Sequence, residues 1–156
     1  MPIDEAGFRE VLSHFPSGVT VVTTADGEEL SGMTVASFAS LSLHPPLVLI
    51  CIEKSVKTHD AIARAGRFGV SILAAHQASV SNRFASKAED KFEGIPFRRG
   101  PEGSPLIEGA IATMECRVMA QLPGGDHSIF VGEVFDTTTA AGHPLVYFRS
   151  GYHKLA

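Results

Sequence analysis

Hydrophobic residues near the start of the chain recur at the spacing of a helix. The hydrophobic face of this helix would consist of Phe8, Val11, Leu12 and Phe15. Asp4 is a favourable N-cap, and the proline and glycine that follow Phe15 end the pattern. The segment therefore predicts one amphipathic helix.

The next hydrophobic segments have the character of strands. Residues 19–24 are rich in β-branched side chains, and a second extended stretch begins at Leu30. Between them stands Asp26-Gly27, a dipeptide typical of tight hairpin turns. These features predict a β-hairpin.

The middle of the chain alternates between strand and helix patterns. After two prolines, the continuous hydrophobic run 47–52 suits a strand that is buried on both faces or closes a barrel. We expect Thr58 to cap a short helix that extends through Ala65. Residues 68–73 predict a further strand, and residues 77–84 predict a helix.

The last third of the chain predicts mainly strands. Residues 93–109 form a loop with one short strand near 95–98. Alternation then predicts a half-buried strand over 112–122. In it Ala112, Met114, Cys116, Val118, Ala120 and Leu122 alternate with Thr113, Glu115, Arg117, Met119 and Gln121. A glycine-rich turn leads into a strand over 128–138, and residues 145–148 form the last strand.

This order of elements predicts a mostly β protein with a few helices. Six or seven strands joined by hairpins favour a closed or nearly closed antiparallel barrel over a doubly wound sheet. The length of 156 residues and the hydrophobic content of 44% fit a single domain over residues 1–156.

Charge and hydropathy narrow the classes of partner. The net charge is −4, and the basic residues are scattered, so we expect no nucleic-acid partner. The longest hydrophobic run is much shorter than the roughly 20 residues of a spanning helix. With acidic residues near the N-terminus, these features predict a cytoplasmic protein without membrane association.

The cysteines and histidines do not have the spacing of a metal site, and we expect none. Cys51 and Cys116 lie within apolar segments and predict buried, reduced thiols.

The chain also lacks the glycine-rich dinucleotide and P-loop motifs and the G-x-S-x-G motif of hydrolases. Any bound nucleotide would therefore rest on hydroxyls, backbone amides and helix N-termini.

Four features of the sequence are candidates for binding. Residues 32–42 contain four hydroxyl side chains, which suit either an exposed edge strand or the lining of a site for a planar polar ligand. Lys57-Thr58, at a predicted helix start, could hold a phosphate. The turn 124–127 either is a plain tight turn or delivers Asp126 and His127 to the mouth of the barrel. The Tyr152 side chain either anchors the C-terminal segment or covers a pocket with its flat ring.

Taken in order, these motifs resemble those of the flavin reductase-like domain proteins, the reductase components of two-component flavin monooxygenases. The resemblance covers nearly the whole chain and includes a G-x-T-x-x-x-F-x-S-x-S pattern. The matching segments are residues 15–23, 32–42, 44–48, 81–85, 90–92, 124–127 and 144–148, with Tyr152.

The resemblance implies an FMN-binding split barrel that forms a homodimer, with the flavin in a cleft to which both subunits contribute. It implies an NAD(P)H:flavin oxidoreductase that transfers a hydride from NADH or NADPH to FMN or FAD. Reduced flavin would then diffuse to a partner monooxygenase.

The resemblance also implies roles for individual residues. The flavin would contact Met33, Thr34, Val35, Ala36, Ser37, Ser40, Leu41, Ser42, Lys57, Thr58, Arg83, Phe84, Ala85 and Tyr152. Gly125, Asp126 and His127 would meet the nicotinamide nucleotide, with His127 as the catalytic residue. Ala36 departs from the pattern, because many relatives carry Ser or Thr there, and it offers no side-chain hydrogen bond.

Such a reaction needs no acid–base pair, because the two cofactors carry the electronic change. Two other functions remain open. A flavoprotein that holds FMN tightly would act as an electron carrier, and a barrel dimer without ligand would be structural only. Flavin binding and flavin-dependent turnover distinguish the three.

Overall fold

The structure is a computed structural model and describes residues 2–156. Within that range the chain forms three helices: α1 Glu5–Ser13, α2 Lys57–Ala65 and α3 Ala78–Ala85. The strands are β1 Ser17–Gly18, β2 Thr20–Asp26, β3 Glu29–Val35, β4 Phe38–Ser42, β5 Leu47–Glu53, β6 Arg67–Ile72, β7 Phe97–Arg99, β8 Pro105–Ile107, β9 Ala112–Gly124, β10 His127–Thr139, β11 Val146–Phe148 and β12 Gly151–His153.

Seven strands form the main antiparallel sheet, in the order β3-β2-β6-β9-β10-β5-β4. Its two edge strands, β3 and β4, are consecutive in the chain and are joined only by Ala36 and Ser37. Both edges of the sheet therefore meet at this corner. Ser37 Oγ donates to the Cys51 carbonyl oxygen at 2.9 Å and fixes the corner to β5.

One hydrophobic core lies inside the curled sheet. It consists of Val22, Val35, Val48, Ile50, Ile52, Ile62, Phe68, Val70, Cys116 and Phe130. Val35 on an edge strand and Val48 near the opposite edge share this cluster, which requires the sheet to curl around it. The fold is a mostly β, antiparallel split barrel, which confirms the predicted fold class.

A second core holds α3 against the outside of the sheet. Its buried members are Val19, Val21, Leu73, Phe84, Phe92, Ile107 and Leu145. Phe84 and Phe92 make an edge contact with ring centroids 5.0 Å apart, and Phe92 makes another with Phe97 at 5.4 Å. These rings anchor the segment that follows α3.

Most of the predicted elements are confirmed. Asp4 caps α1 through its side chain, which accepts a hydrogen bond from the Gly7 amide at 2.6 Å. Gly27 has a φ of 64° in the turn between β2 and β3, a conformation that glycine adopts without strain. The hydrophobic face of α1 lies exposed, and no residue of this helix is buried in the single chain.

The expected cap of α2 is wrong. The N-cap is Val56, which makes no side-chain cap bond, and Thr58 lies buried inside the first turn. The helix itself ends near the expected Ala65, where Gly66 adopts the left-handed conformation.

The C-terminal half differs in detail from the alternating pattern. Cys116 is buried as expected, but Leu122 is exposed. Glu115 is also fully buried, because its carboxylate accepts hydrogen bonds from the amides of Glu102 and Ser104 in the loop that covers this face. Cys51 is only half-buried, so the expectation of two buried thiols holds for Cys116 alone.

Candidate functional site

A cleft of about 1130 Å³ opens between β3, the start of α2 and the segment that follows α3. Its lining comprises residues 28–34 of the first hairpin, Glu53, residues 56–58 at the start of α2, and residues 84–92 after α3. These segments are distant in the chain, and the curled sheet brings them together.

Six of the predicted flavin contacts line this cleft: Met33, Thr34, Lys57, Thr58, Phe84 and Ala85. Their approach depends on Gly32. A Cβ atom at this position would lie 3.0 Å from the Phe84 ring and 3.2 Å from the Phe92 ring. The glycine therefore allows α3 and the following loop to pack directly against β3.

The cleft carries charges of both signs. Lys57 Nζ forms an ion pair with Glu29 Oε1 at 2.5 Å, with both side chains more than half exposed. Further acidic residues in the lining are Glu28, Glu53, Glu89 and Asp90, and further lysines are Lys87 and Lys91. An anionic ligand would therefore meet cations and competing carboxylates in the same cleft.

Lys91 is a cleft residue to which the sequence analysis gave no role. Its Nζ donates to the carbonyl oxygens of Gly32 at 3.2 Å and Phe84 at 3.0 Å. Burial lowers the pKa of this amine below its usual value. Lys91 ties the loop after α3 to β3, and its only signal in the sequence is membership of the matching segment 90–92.

Arg83 holds the same loop from its other side. Its Nη2 donates to the carbonyl oxygens of Asp90 at 3.0 Å and Glu93 at 3.1 Å. Arg83 does not line the cleft, whereas its neighbours Phe84 and Ala85 do. Its contacts in the single chain position the loop.

Ser31 is a second residue that sequence reasoning missed. It lines the cleft, is only 6% exposed, and its Oγ has no hydrogen-bond partner among the described residues. A buried hydroxyl without a partner costs free energy, which marks this position as one that a ligand can satisfy. The hydroxyl-rich segment identified in the sequence begins one residue later, at Gly32.

Thr34 and Tyr152 belong to one hydrogen-bond chain around α3. Thr34 Oγ1 donates to the Ser81 carbonyl oxygen at 2.6 Å, and the Tyr152 hydroxyl lies 2.7 Å from Ser81 Oγ. The same hydroxyl donates to Asn82 Oδ1 at 3.0 Å. Tyr152 lines a separate, smaller cavity of about 190 Å³ and lies outside the lining of the main cleft.

The remaining predicted flavin contacts lie at the corner between the sheet edges. Val35 is part of the inner core. Ala36, Ser37, Ser40 and Leu41 are exposed, and Ser42 is half-buried. None of the residues at this corner belongs to the lining of the cleft in the single chain.

The predicted nucleotide-binding turn lies beside the cleft. Gly125 has a φ of 70°, and the Asp126 carbonyl oxygen accepts a hydrogen bond from the Lys54 amide at 2.9 Å. His127 pairs across the ladder with Glu53, which lines the cleft. Its Nδ1 lies 2.7 Å from Asp126 Oδ1, and this hydrogen bond lowers the pKa of the Asp126 carboxyl.

Two kinds of feature are absent from residues 2–156. No group of three or more His, Cys, Asp or Glu side chains is arranged to hold a metal ion. No helix in that range has both the length and the hydrophobicity needed to cross a membrane.

Comparison with known proteins identifies the family. Residues 12–156 match the Flavin reductase like domain family. A flavin reductase from Pseudomonas putida is 42% identical over 156 residues, which span 99% of this chain and 92% of that protein. The reductase component of 4-hydroxyphenylacetate 3-monooxygenase from Thermus thermophilus is 44% identical over 149 residues, 95% of each chain.

A solved structure of an enzyme is similar to this chain in both sequence and fold. The NADH:FAD oxidoreductase from Streptomyces globisporus, in complex with NAD and FAD fragments, superimposes with a TM-score of 0.95 and 41% identity. The match covers 98% of this chain and 93% of that chain. Sequence, fold and the resemblance in the ordered motifs agree: the chain belongs to the Flavin reductase like domain family.

Proposed function

We propose that this protein is an NAD(P)H:flavin oxidoreductase that transfers a hydride from a reduced nicotinamide nucleotide to FAD or FMN. The observation that carries the proposal is the convergence of six expected flavin contacts, from β3, α2 and α3, on one cleft. Relatives at 42% and 41% identity are named as a flavin reductase and as an NADH-dependent FAD reductase.

The residues of the cleft fit a flavin chemically. Lys57 and the start of α2, which has no side-chain cap, suit a phosphate. The unpartnered Ser31 hydroxyl can bond to a polar edge or arm of the ligand. Phe84 and Ala85 add apolar surface to the lining. The cleft therefore offers a flavin both polar and apolar contacts.

When bound, the nicotinamide and the flavin would supply the redox chemistry themselves, as donor and acceptor of the hydride. The protein binds and orients the two rings and excludes water from between them. His127, held by Asp126, contacts the nucleotide as the catalytic residue, and Gly125 lets the turn approach closely. No proton transfer by a protein acid or base is required.

The cleft is completed by a second subunit in this proposal. Exposed hydrophobic side chains lie on and just after α1 and at the end of β4. They include Phe8, Val11, Leu12, Phe15, Leu41 and Leu43. Burial of such side chains favours association. A homodimer would bring residues 36–42 of one subunit, which lie outside the cleft of their own chain, toward the flavin of the other.

The reduced flavin leaves and reaches a separate monooxygenase by diffusion. The Thermus thermophilus relative and others are named as reductase components of monooxygenases, which supports this role. The location in the cytoplasm stays a prediction from the sequence.

Steady-state oxidation of NADH and NADPH, measured with FAD, FMN or no added flavin, tests the proposal. We expect turnover that depends on added flavin and colourless protein after purification. Yellow protein that oxidises NADH only slowly in excess free flavin would favour the electron carrier instead. Absence of flavin-dependent turnover with both nucleotides would reject the enzyme.

A further inference from the structure

The ion pair between Lys57 and Glu29 involves the cation that suits a phosphate best in this cleft. Lys57 is the first residue of α2, and Glu29 is the first residue of β3. Both line the cleft, and their charged atoms lie 2.5 Å apart. A phosphate that approaches Lys57 therefore meets a carboxylate already bound to it.

The strand geometry places the unpartnered hydroxyl on the same side. Side chains alternate along β3, so Glu29, Ser31 and Met33 share one face. Glu29 reaches α2 through the ion pair, and Met33 packs against the inner core. Ser31 lies between them and is only 6% exposed, and its hydroxyl has no hydrogen-bond partner within residues 2–156. The cation, the carboxylate and a free donor thus border one part of the cleft.

We infer that Glu29 competes with a phosphate of the bound ligand for Lys57 and thereby keeps the affinity for phosphate-bearing flavins low. This inference rests on the proposed function. Binding requires Lys57 to exchange the carboxylate for the phosphate, and the displaced carboxylate then repels the ligand's negative charge. Release reverses the exchange, because the carboxylate returns to Lys57 as the phosphate leaves.

Low affinity of this origin suits an enzyme whose flavin is a product that must leave. Tight flavin binding would retain the reduced flavin and turn the protein into an electron carrier. Because the phosphate of the flavin and that of the nicotinamide nucleotide have the same chemistry, the experiment must distinguish these two sources.

Binding of FMN and of riboflavin, which lacks the phosphate, should be measured by fluorescence titration of wild type and Glu29→Gln. We expect the variant to bind FMN about three- to fivefold more tightly, from loss of an exposed ion pair, with riboflavin affinity unchanged. The gain should fade at high salt, because exposed charges are screened. NADH affinity measured in parallel reports on the nucleotide phosphate.

Two controls separate competition from a general charge effect. Glu28→Gln removes the same charge from the neighbouring position of the cleft, outside the ion pair, and should tighten FMN binding less. In a Lys57→Met background, the effect of Glu29→Gln should shrink to that of Glu28→Gln. Thermal unfolding of each variant checks that the fold is kept.

The outcomes are distinct. Tighter FMN binding with unchanged binding of riboflavin and NADH supports competition with the flavin phosphate. Tighter NADH binding alone overturns that competition and assigns the effect to the nucleotide phosphate. The role of Glu29 is overturned if the wild type binds flavin normally and Glu29→Gln changes neither the FMN affinity nor the NADH affinity. It is also overturned if the variant changes the affinities for FMN and riboflavin equally. Absence of flavin binding in the wild type overturns the proposed function itself.

Discussion

His59 Nε2 lies 2.8 Å from Ser128 Oγ in the interior of the protein. This contact joins α2, whose first residues line the cleft, to β10, which begins at His127. The other ring nitrogen of His59 lies 2.9 Å from Asp60 Oδ1. The segments expected to bind phosphate and nucleotide are thus connected through one buried hydrogen bond.

The two amide variants of His59 should differ in stability. Glutamine places a polar nitrogen near the position of Nε2 and can still bond to Ser128, whereas asparagine reaches only the position of Nδ1. His59→Asn leaves the Ser128 hydroxyl buried without a partner, which costs about 1–3 kcal/mol. Urea unfolding should show His59→Asn to be the less stable variant, and equal losses would contradict the importance of the contact.

Ser31→Ala should separate folding from ligand binding. Removing an unsatisfied buried hydroxyl leaves the free energy of unfolding of the free protein unchanged or slightly higher. If Ser31 bonds to the flavin, the affinity for flavin should fall by about three- to tenfold.

Ser104→Ala is the matched control for this variant. Ser104 Oγ is likewise buried and has no partner in the part of the chain that the structure describes, but Ser104 does not line the cleft. This variant should leave flavin affinity at the wild-type value. Equal flavin affinity of Ser31→Ala and wild type would remove Ser31 from the binding site.

His127→Ala should impair use of the nicotinamide nucleotide. We expect a higher KM for NADH or a lower kcat, with kcat/KM reduced by about tenfold or more, as for loss of one hydrogen bond involving a charged group. The exposed His14, at the end of α1, provides the control variant His14→Ala. Unchanged kinetics of His127→Ala would show that this residue does not contact the nucleotide.

Cys116 should be inert in the folded protein. Burial, with a smaller contribution from Glu115, raises the pKa of its thiol from 9.0 to about 12. The thiol therefore stays protonated at neutral pH, and Cys51→Ser should react with a thiol reagent only after unfolding. Because the unfolded thiol ionises near pH 9 and the folded one does not, stability from this group falls as pH rises from about 9 toward 12. Rapid labelling of native Cys51→Ser would contradict this burial.

Local signals in the sequence predict the elements well. The Asp26-Gly27 hairpin and the helix capped by Asp4 depend on neighbouring residues, and both are confirmed. The expected cap of α2 is wrong, because the helix begins at Lys57, one residue before the Thr58 hydroxyl. Burial of Glu115 was missed, because it depends on a loop that folds over the strand from a distance.

The candidate site was predictable mainly from the order of the motifs. Composition alone left the segment 32–42 open to two interpretations, and the structure places its first residues in the cleft and its later residues at an exposed corner. Ser31 and the partner of Lys57 carry no signal in the sequence, and Lys91 carries only its place in the matching segment 90–92. Their roles arise from contacts between distant segments.

The most direct test of the account is hydride transfer to free flavin in the absence of oxygen. Protein, NADH and FAD or FMN are mixed anaerobically, and the loss of oxidised flavin absorbance is followed with ordinary NADH and with NADH deuterated at nicotinamide C4. We predict that the rate of flavin reduction is proportional to protein concentration and is slowed by deuterium in the transferred position. Flavin that stays oxidised at every protein concentration would contradict it.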